Sequence, residues 1–192
     1  FGGNGRVYST AVSQLPGGRG DGQPITSLID LESGTQPAHY FAGDAQQTLL
    51  LAGTGGFGLL ARVGDLVARQ KGGKGFLSLE ADEKLLPPSR TDGQGQVACL
   101  SLAGRLLVFG LAELKLQSNG GRGLTLMDVD AKDPLLSVAS FGDALKLIGQ
   151  GRSNKAKDEL LRAGAWAEHV GKRARKGRKA AGFVRLLRVV AA

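Results

Sequence analysis

The side chains able to do chemistry in this 192-residue chain are above all its cations. Lys172, Arg173, Arg175, Lys176, Arg178 and Lys179 put six positive charges into nine positions, more than a folded face needs for solubility. Residues 1–148 hold 13 Lys and Arg against 14 Asp and Glu, while residues 149–192 hold 12 against 3, so the net charge of +8 divides into −1 and +9. A second set of cations is spaced rather than clustered: Arg19, Lys74 and Arg122 each sit in a Gly-Gly-basic-Gly tetrapeptide, at 17–20, 72–75 and 120–123. Ammonium and guanidinium groups so placed neutralise phosphates, which makes a polyanion the first partner the chain suggests. The plainer reading of the same charges is a solvated tail, or one that meets an acidic protein.

Other chemistries find little support. His39 and His169 stand far apart, with one cysteine between them and no carboxylate at ligand spacing, so a zinc site is not expected. Asp82/Glu83 and Asp128/Asp130 lie among polar residues and read as solvated charge rather than a catalytic dyad. Gly53-Thr54-Gly55-Gly56-Phe57-Gly58 satisfies G-x-G-x-x-G, but that motif binds a dinucleotide only where a helix follows, and here a strand pattern follows. Gly73-Lys74-Gly75 lacks the Ser or Thr of a phosphate loop. Arg19-Gly20-Asp21 is a chance adhesion tripeptide. Tyr8, Tyr40 and Trp166 are isolated and read as core or hairpin residues, which leaves no platform for stacking single-stranded bases.

The elements that position the cations repeat. Gly5, Gly56 and Gly104 are 51 and 48 residues apart, and each is followed ten positions later by a leucine: Leu15, Leu66 and Leu114. A Gly-Gly-basic-Gly cluster follows each leucine, with the cation in the same place every time. Each glycine joins two short apolar runs, the pattern of a hairpin: Thr48–Ala52 with Gly58–Val63, and Val97–Leu102 with Arg105–Leu111. Leu124–Val129, Leu135–Phe141 and Ala144–Ile148 supply further strands. Gly64–Arg69 and Ala112–Leu116 read as single helical turns, and Asp158–Ala167 as helix or strand. A fourth unit passes through Gly151 and Leu161 or through Ala156 and Ala167. The expectation is an all-β, blade-repeat domain over 1–192, with units of approximately 1–47, 48–94, 95–133 and 134–192.

Composition agrees. Glycine supplies 31 of 192 residues, about twice the usual ~7%, so tight turns are many; hydrophobic residues at 42% provide a core. Cys99, in an apolar run, permits no intrachain disulfide, reads as a small buried hydrophobe and fits a reducing cytoplasm. Every apolar run is broken short of a membrane span. Phe1-Gly2-Gly3-Asn4 reads as the cut edge of a longer chain.

Gly5-Arg6-Val7-Tyr8, Leu15–Pro24, Gly56-Phe57-Gly58 with Gly64-Asp65-Leu66, Lys84–Pro88, Gly104–Leu107 and Glu168-His169 before Gly171-Lys172-Arg173 carry a family likeness over essentially the whole chain. The sequence resembles the C-terminal domain of the A subunit of bacterial DNA topoisomerase IV, the paralogue of the gyrase A subunit. Gyrase carries a Gln-Arg-Arg-Gly-Gly-Lys-Gly box; Arg69-Gln70-Lys71-Gly72-Gly73-Lys74-Gly75 departs from it at its first three positions and lies in the wrong unit. The resemblance implies a β-pinwheel, a propeller-like disc of four-stranded, strand-exchanging blades, of which about four of an expected five are visible. It implies a rim that binds and bends duplex DNA without reading sequence, supporting ATP-dependent strand passage such as decatenation and supercoil relaxation. The rim and tail candidates are Arg6, Arg19, Arg62, Arg69, Lys71, Lys74, Arg105, Lys115, Arg122, Lys172, Arg173, Arg175, Lys176, Arg178 and Lys179. No catalytic, cofactor or metal site is expected in the chain itself; ATP and Mg2+ would belong to the parent enzyme, whose other parts are the remainder of the same polypeptide and the B subunit. The setting implied is the bacterial cytoplasm, at the nucleoid, with no membrane. A gyrase wrapping domain and a propeller-type protein-interaction module are the alternatives.

Overall fold

The computed structural model describes residues 1–18 and 20–192; Arg19, the first loop cation, lies outside them. Gly56 and Gly104, at φ 84° and 78°, close two hairpins. The first pairs β2 (Thr48–Ala52) with β3 (Phe57–Arg62), the second β6 (Gln96–Ser101) with β7 (Arg105–Gly110). The backbone conformation that the tight turns require favours glycine, since an L side chain costs about 1–2 kcal/mol there. Gly5, at φ 80°, stands equivalently before β1 (Arg6–Val7).

Each hairpin gains two outer strands. The hairpin β2–β3 is flanked by β5 (Ser89–Thr91) on β2 and β8 (Leu124–Thr125) on β3. The hairpin β6–β7 is flanked by β9 (Leu135–Phe141) on β6 and β12 (Arg178–Lys179) on β7. β4 (Lys74–Gly75) does for β1 what β8 and β12 do for β3 and β7. The last sheet orders β11 (Ala156–Leu161), β10 (Leu145–Gln150) and β13 (Arg185–Ala191). The two-residue strands β4, β8 and β12 are thus given by one unit to the unit before it, and blades are joined by exchanged strands.

Stacking explains the leucine runs. Leu49, Leu50, Leu51 and Ala52 are all buried because both faces of β2 are covered: Leu49 and Leu51 join the cluster around Val7, and Leu50 and Ala52 join that around Val97, Cys99 and Phe109. In β6, Val97 and Cys99 face back while Ala98 and Leu100 face forward to Leu145 and Leu147. β10 instead alternates, with Leu145 and Leu147 buried and Lys146 and Ile148 half-buried, as a strand covered on one face should. Cys99 is buried, and burial pushes its thiol well above the usual range.

The turns after the hairpins are α1 (Val63–Leu66), a 3-10 turn at Leu111–Glu113 and α2 (Ala163–Trp166). Leu66 and Leu114 are buried there, whereas Leu15, after the 3-10 turn Val12–Gln14, is 46% exposed. Segment 158–167 is therefore strand followed by helix, and Trp166 takes the place of Leu66 and Leu114, packing edge-on to Phe141. The fourth hairpin turns through 151–155, with Ser153 and Asn154 at positive φ where the others use glycine. With Gln150 opposite Ala156 as Ala52 is opposite Gly58 and Leu100 opposite Leu106, Asn154 takes the place of Gly56 and Gly104, so the turn residue is neither Gly151 nor Ala156.

Candidate nucleic-acid interface

Arg69, Lys71, Arg122, Lys172, Arg173, Arg175 and Lys176 lie on the loops that lead into exchanged strands, and Lys74, Arg178 and Lys179 lie on those strands themselves. Gly73, Gly123 and Gly177 end these loops at φ 66°, 80° and 71°. A Cβ on them would lie 2.5, 2.1 and 2.6 Å from the carbonyl oxygens of Val7, Gly58 and Leu106 on the receiving strands. These three positions admit only glycine without moving backbone, and they set the true register. Counted from them, Lys74 matches Arg178, Arg122 matches Lys176, Lys71 matches Arg175, and Arg69 matches Arg173. Lys74 and Arg122 are therefore not equivalent, which corrects the expectation of one cation in one place. The Gly-Gly doublet aligns them by look, but the glycine that meets a receiving-strand carbonyl is Gly73 in one cluster and Gly123 in the other.

The main chain anchors each loop the same way. Asp30, Ser78 and Asp128 donate their N–H groups to the carbonyls of Lys71, Gly121 and Arg175, at 3.0, 3.0 and 3.2 Å. With the backbone so held, the Lys71 and Arg175 side chains stand exposed. Arg62 at the end of β3, Arg69, Lys115, Lys172 and Lys176 are exposed as well. Among the described residues none of these side chains makes an ion pair with a carboxylate or donates to a protein acceptor.

The other described candidates are engaged. Arg6 donates to the carbonyls of Gly72 and Gly73 at 3.0 and 3.2 Å and lies 3.7 Å from Glu32. Lys74 donates to the Asp65 carbonyl and lies 5.6 Å from the centre of the Phe76 ring. Arg105 is 3.9 Å from Asp133. Arg122 is held at 2.7 Å from Glu80 and 2.9 Å from Glu83. Arg173 donates to the Thr125 carbonyl, Arg178 to that of Glu168 at 2.9 Å, and Lys179 to that of Ala103. These groups tie loops and exchanged strands to neighbouring hairpins before any ligand arrives.

The acidic residues that sequence reading set aside as solvated do part of this work. Glu83 keeps 12% of its side chain exposed. Asp130 is exposed but accepts N–H bonds from Lys132 and Asp133 at 2.9 and 3.1 Å, which hold its carboxyl below the usual range. Asp133 accepts from Ser101 Oγ at 3.0 Å and from the Ala103 N–H. The signal that could have found them is their recurrence beside the hairpin turns, as Glu32, Glu80 and Asp130. The G-x-G-x-x-G segment makes one of those turns over 53–56 and runs into β3 from Phe57 on. Among the described residues no three His, Cys, Asp or Glu side chains gather to hold a metal, and no helix is long and apolar enough to cross a membrane.

Stacked hairpins that trade two-residue strands define a β-pinwheel, the fold shared by the C-terminal domains of type II topoisomerase A subunits. The family described as DNA gyrase C-terminal domain, beta-propeller, matches residues 95–141. The solved C-terminal domain of Escherichia coli ParC superposes with a TM-score of 0.86 at 27% identity, over 98% of this chain and 78% of that one. A solved gyrase A C-terminal domain follows at 0.72 and 17%, over 100% and 64%, and shares the fold. The DNA topoisomerase 4 A subunit of Neisseria gonorrhoeae is 35% identical over 181 residues, covering 91% of this chain. Its Escherichia coli counterpart is 30% identical over 130 residues, covering 67%. The chain belongs to the family of topoisomerase IV A subunits, as the C-terminal domain. It spans 23% and 17% of the length of those two relatives.

Proposed function

We propose that this domain binds duplex DNA through its phosphates and bends it, within a type II topoisomerase that passes one duplex through another. The observation that carries the reading is the set of exposed, unengaged cations on equivalent loops of a topoisomerase-type pinwheel: Arg69 and Lys71 in the second unit, and Lys172, Arg175 and Lys176 in the fourth. Arg62 and Lys115 extend the set. Phosphate contacts position a duplex without reading bases, and several of them along a curved edge are needed to offset the roughly 1–6 kcal/mol that bending 20–30 base pairs costs. Strand cleavage, ATP hydrolysis and the Mg2+ that they use are assigned to the remainder of the parent polypeptide and to the B subunit, with decatenation and relaxation the work of the whole assembly.

The test is a titration of random-sequence duplexes over a range of salt. Log affinity should fall linearly with log salt, by about 0.9 for each phosphate neutralised. Replacing Lys172, Arg175 and Lys176 by alanine should flatten that slope, and energy transfer between labelled DNA ends should report shortening on binding. Salt-independent binding, or preference for one sequence, refutes the reading.

A further inference from the structure

Arg122 would be the natural phosphate ligand of the third unit, but its side chain is otherwise employed. Its guanidinium lies 4.2 Å from the centre of the Phe57 ring, at the start of β3, while its two amino groups reach Glu80 Oε1 at 2.7 Å and Glu83 Oε1 at 2.9 Å. The three partners belong to two separate segments: Phe57 to the β2–β3 hairpin, and Glu80 and Glu83 to the loop that leads to β5. Arg122 comes from a third, the exit loop of the next unit.

Glu83 is built into place. Its other oxygen accepts the Glu80 N–H at 3.0 Å. Its carboxylate lies against Gly55, where a Cβ would fall 1.7 Å from Oε1. Thr54 fixes the loop from both sides, donating its N–H to the Lys84 carbonyl at 2.9 Å and accepting the Lys84 N–H on Oγ1 at 2.9 Å. The glycines of the false dinucleotide motif thus have a use: Gly56 makes the turn, and Gly55 makes room for the carboxylate. A planar guanidinium suits this site, because it can hold two carboxylates and stack on a ring at once, as an ammonium cannot. Related pairs stand beside the other turns: Arg6 with Glu32, and Arg105 with Asp133.

We infer that Arg122, Glu83 and Glu80 form an ionic clamp that locks the exit loop of one unit onto the hairpin of the unit before, and that Arg122 fixes the path of bound DNA by holding this joint rather than by touching phosphate. The part concerning DNA rests on the proposed function; the clamp itself does not. With two carboxylates on one guanidinium, the site carries net negative charge and does not attract a phosphate.

Three variants separate clamp from ligand: Arg122→Gln, Arg122→Lys and Glu83→Gln. Amide hydrogen exchange at Leu126 and Met127, whose N–H groups bond the Gly56 carbonyl just past the exchanged strand, reads the joint without DNA. All three variants should speed exchange there several-fold over wild type, with Lys failing to rescue. With DNA, the salt slope should stay at the wild-type value for all three, while the end-to-end distance of the bound duplex changes for each. A phosphate ligand predicts the opposite: Arg122→Gln lowers the slope by about 0.9, Arg122→Lys preserves binding and bend, and Glu83→Gln frees the cation and tightens binding. That pattern, or unchanged exchange in all variants, overturns the clamp. Faster exchange in a protein whose wild type fails to bind DNA would leave the clamp standing and sink the proposed function.

Discussion

Replacing Gly123 by alanine probes the exchanged strand at its tightest point. The new Cβ would sit 2.1 Å from the Gly58 oxygen and 2.4 Å from its carbon, both main-chain atoms that cannot swing away, at φ 80°. The left-handed conformation alone costs about 1–2 kcal/mol. Relieving the clash means pulling β8 away from β3, which gives up the Phe57↔Thr125 and Gly58↔Leu124 pairing and the bonds of Leu126 and Met127 to Gly56. At about 0.5–1.5 kcal/mol for each hydrogen bond lost, the total comes to about 3 kcal/mol or more. Two controls divide the sum. Gly93 has φ 89° with open space around it, so Gly93→Ala should cost only the backbone part, about 1–2 kcal/mol. Gly75 has neither a clash nor positive φ, and Gly75→Ala should be near neutral. Urea unfolding followed by circular dichroism gives the three midpoints. Equal midpoints for the Gly123 and Gly93 variants would show that the carbonyl contact does not constrain the exchanged strand, and the register argument built on Gly73, Gly123 and Gly177 would fail with it.

Burial keeps His169 neutral, lowering its pKa below the ordinary 6.5 despite Glu168 Oε1 at 3.3 Å, with Arg178 acting in the same direction as burial. The unfolded chain then binds the extra proton first, so stability should fall as pH drops below about 6.5; a His169→Gln variant should show a flatter urea midpoint between pH 7.5 and 5.5, and an unchanged slope would remove His169 as the cause. Cys99, buried with its thiol pKa raised, should react with a thiol reagent only as fast as the protein opens; labelling that ignores urea below the transition would contradict its place in the core.

The hairpins were legible because both requirements on them are local. Gly56 and Gly104 must turn, and the runs on either side must be apolar on both faces, so Thr48–Ala52 is a strand with the ends the sequence suggests, and β7 begins at Arg105 as it suggests. Where one requirement relaxed, legibility went with it: Ser153 and Asn154 turn the last hairpin without glycine, and Asp158–Ala167 reads helix or strand because it spans the end of a strand covered on one face and the helical turn after it. The exchanged strands were harder still. Leu124–Val129 looks like one strand, yet only Leu124–Thr125 pairs, since its length is set by a partner some sixty residues earlier. The loop cations misaligned for the same reason. Nothing in a Gly-Gly-basic-Gly string says which glycine meets a carbonyl, and nothing near Arg122 in sequence shows that its charge is already spent on Glu80 and Glu83.

The exchange of strands also dictates an order of events during synthesis. β3 ends at Arg62, and its outer neighbour begins at Leu124; at ribosomal rates of about 5–20 residues per second, that edge waits several seconds for its mate. β7 waits a similar time for Arg178. While a blade waits, its main-chain donors and acceptors face outward beside a freshly collapsed leucine face, the arrangement most prone to pairing with a foreign strand. The two-residue length of β4, β8 and β12 limits that exposure to a few groups per blade. It also means that no unit can be deleted or duplicated alone without stranding one edge and orphaning one donated strand, so the repeat can change in number only by rejoining both seams at once.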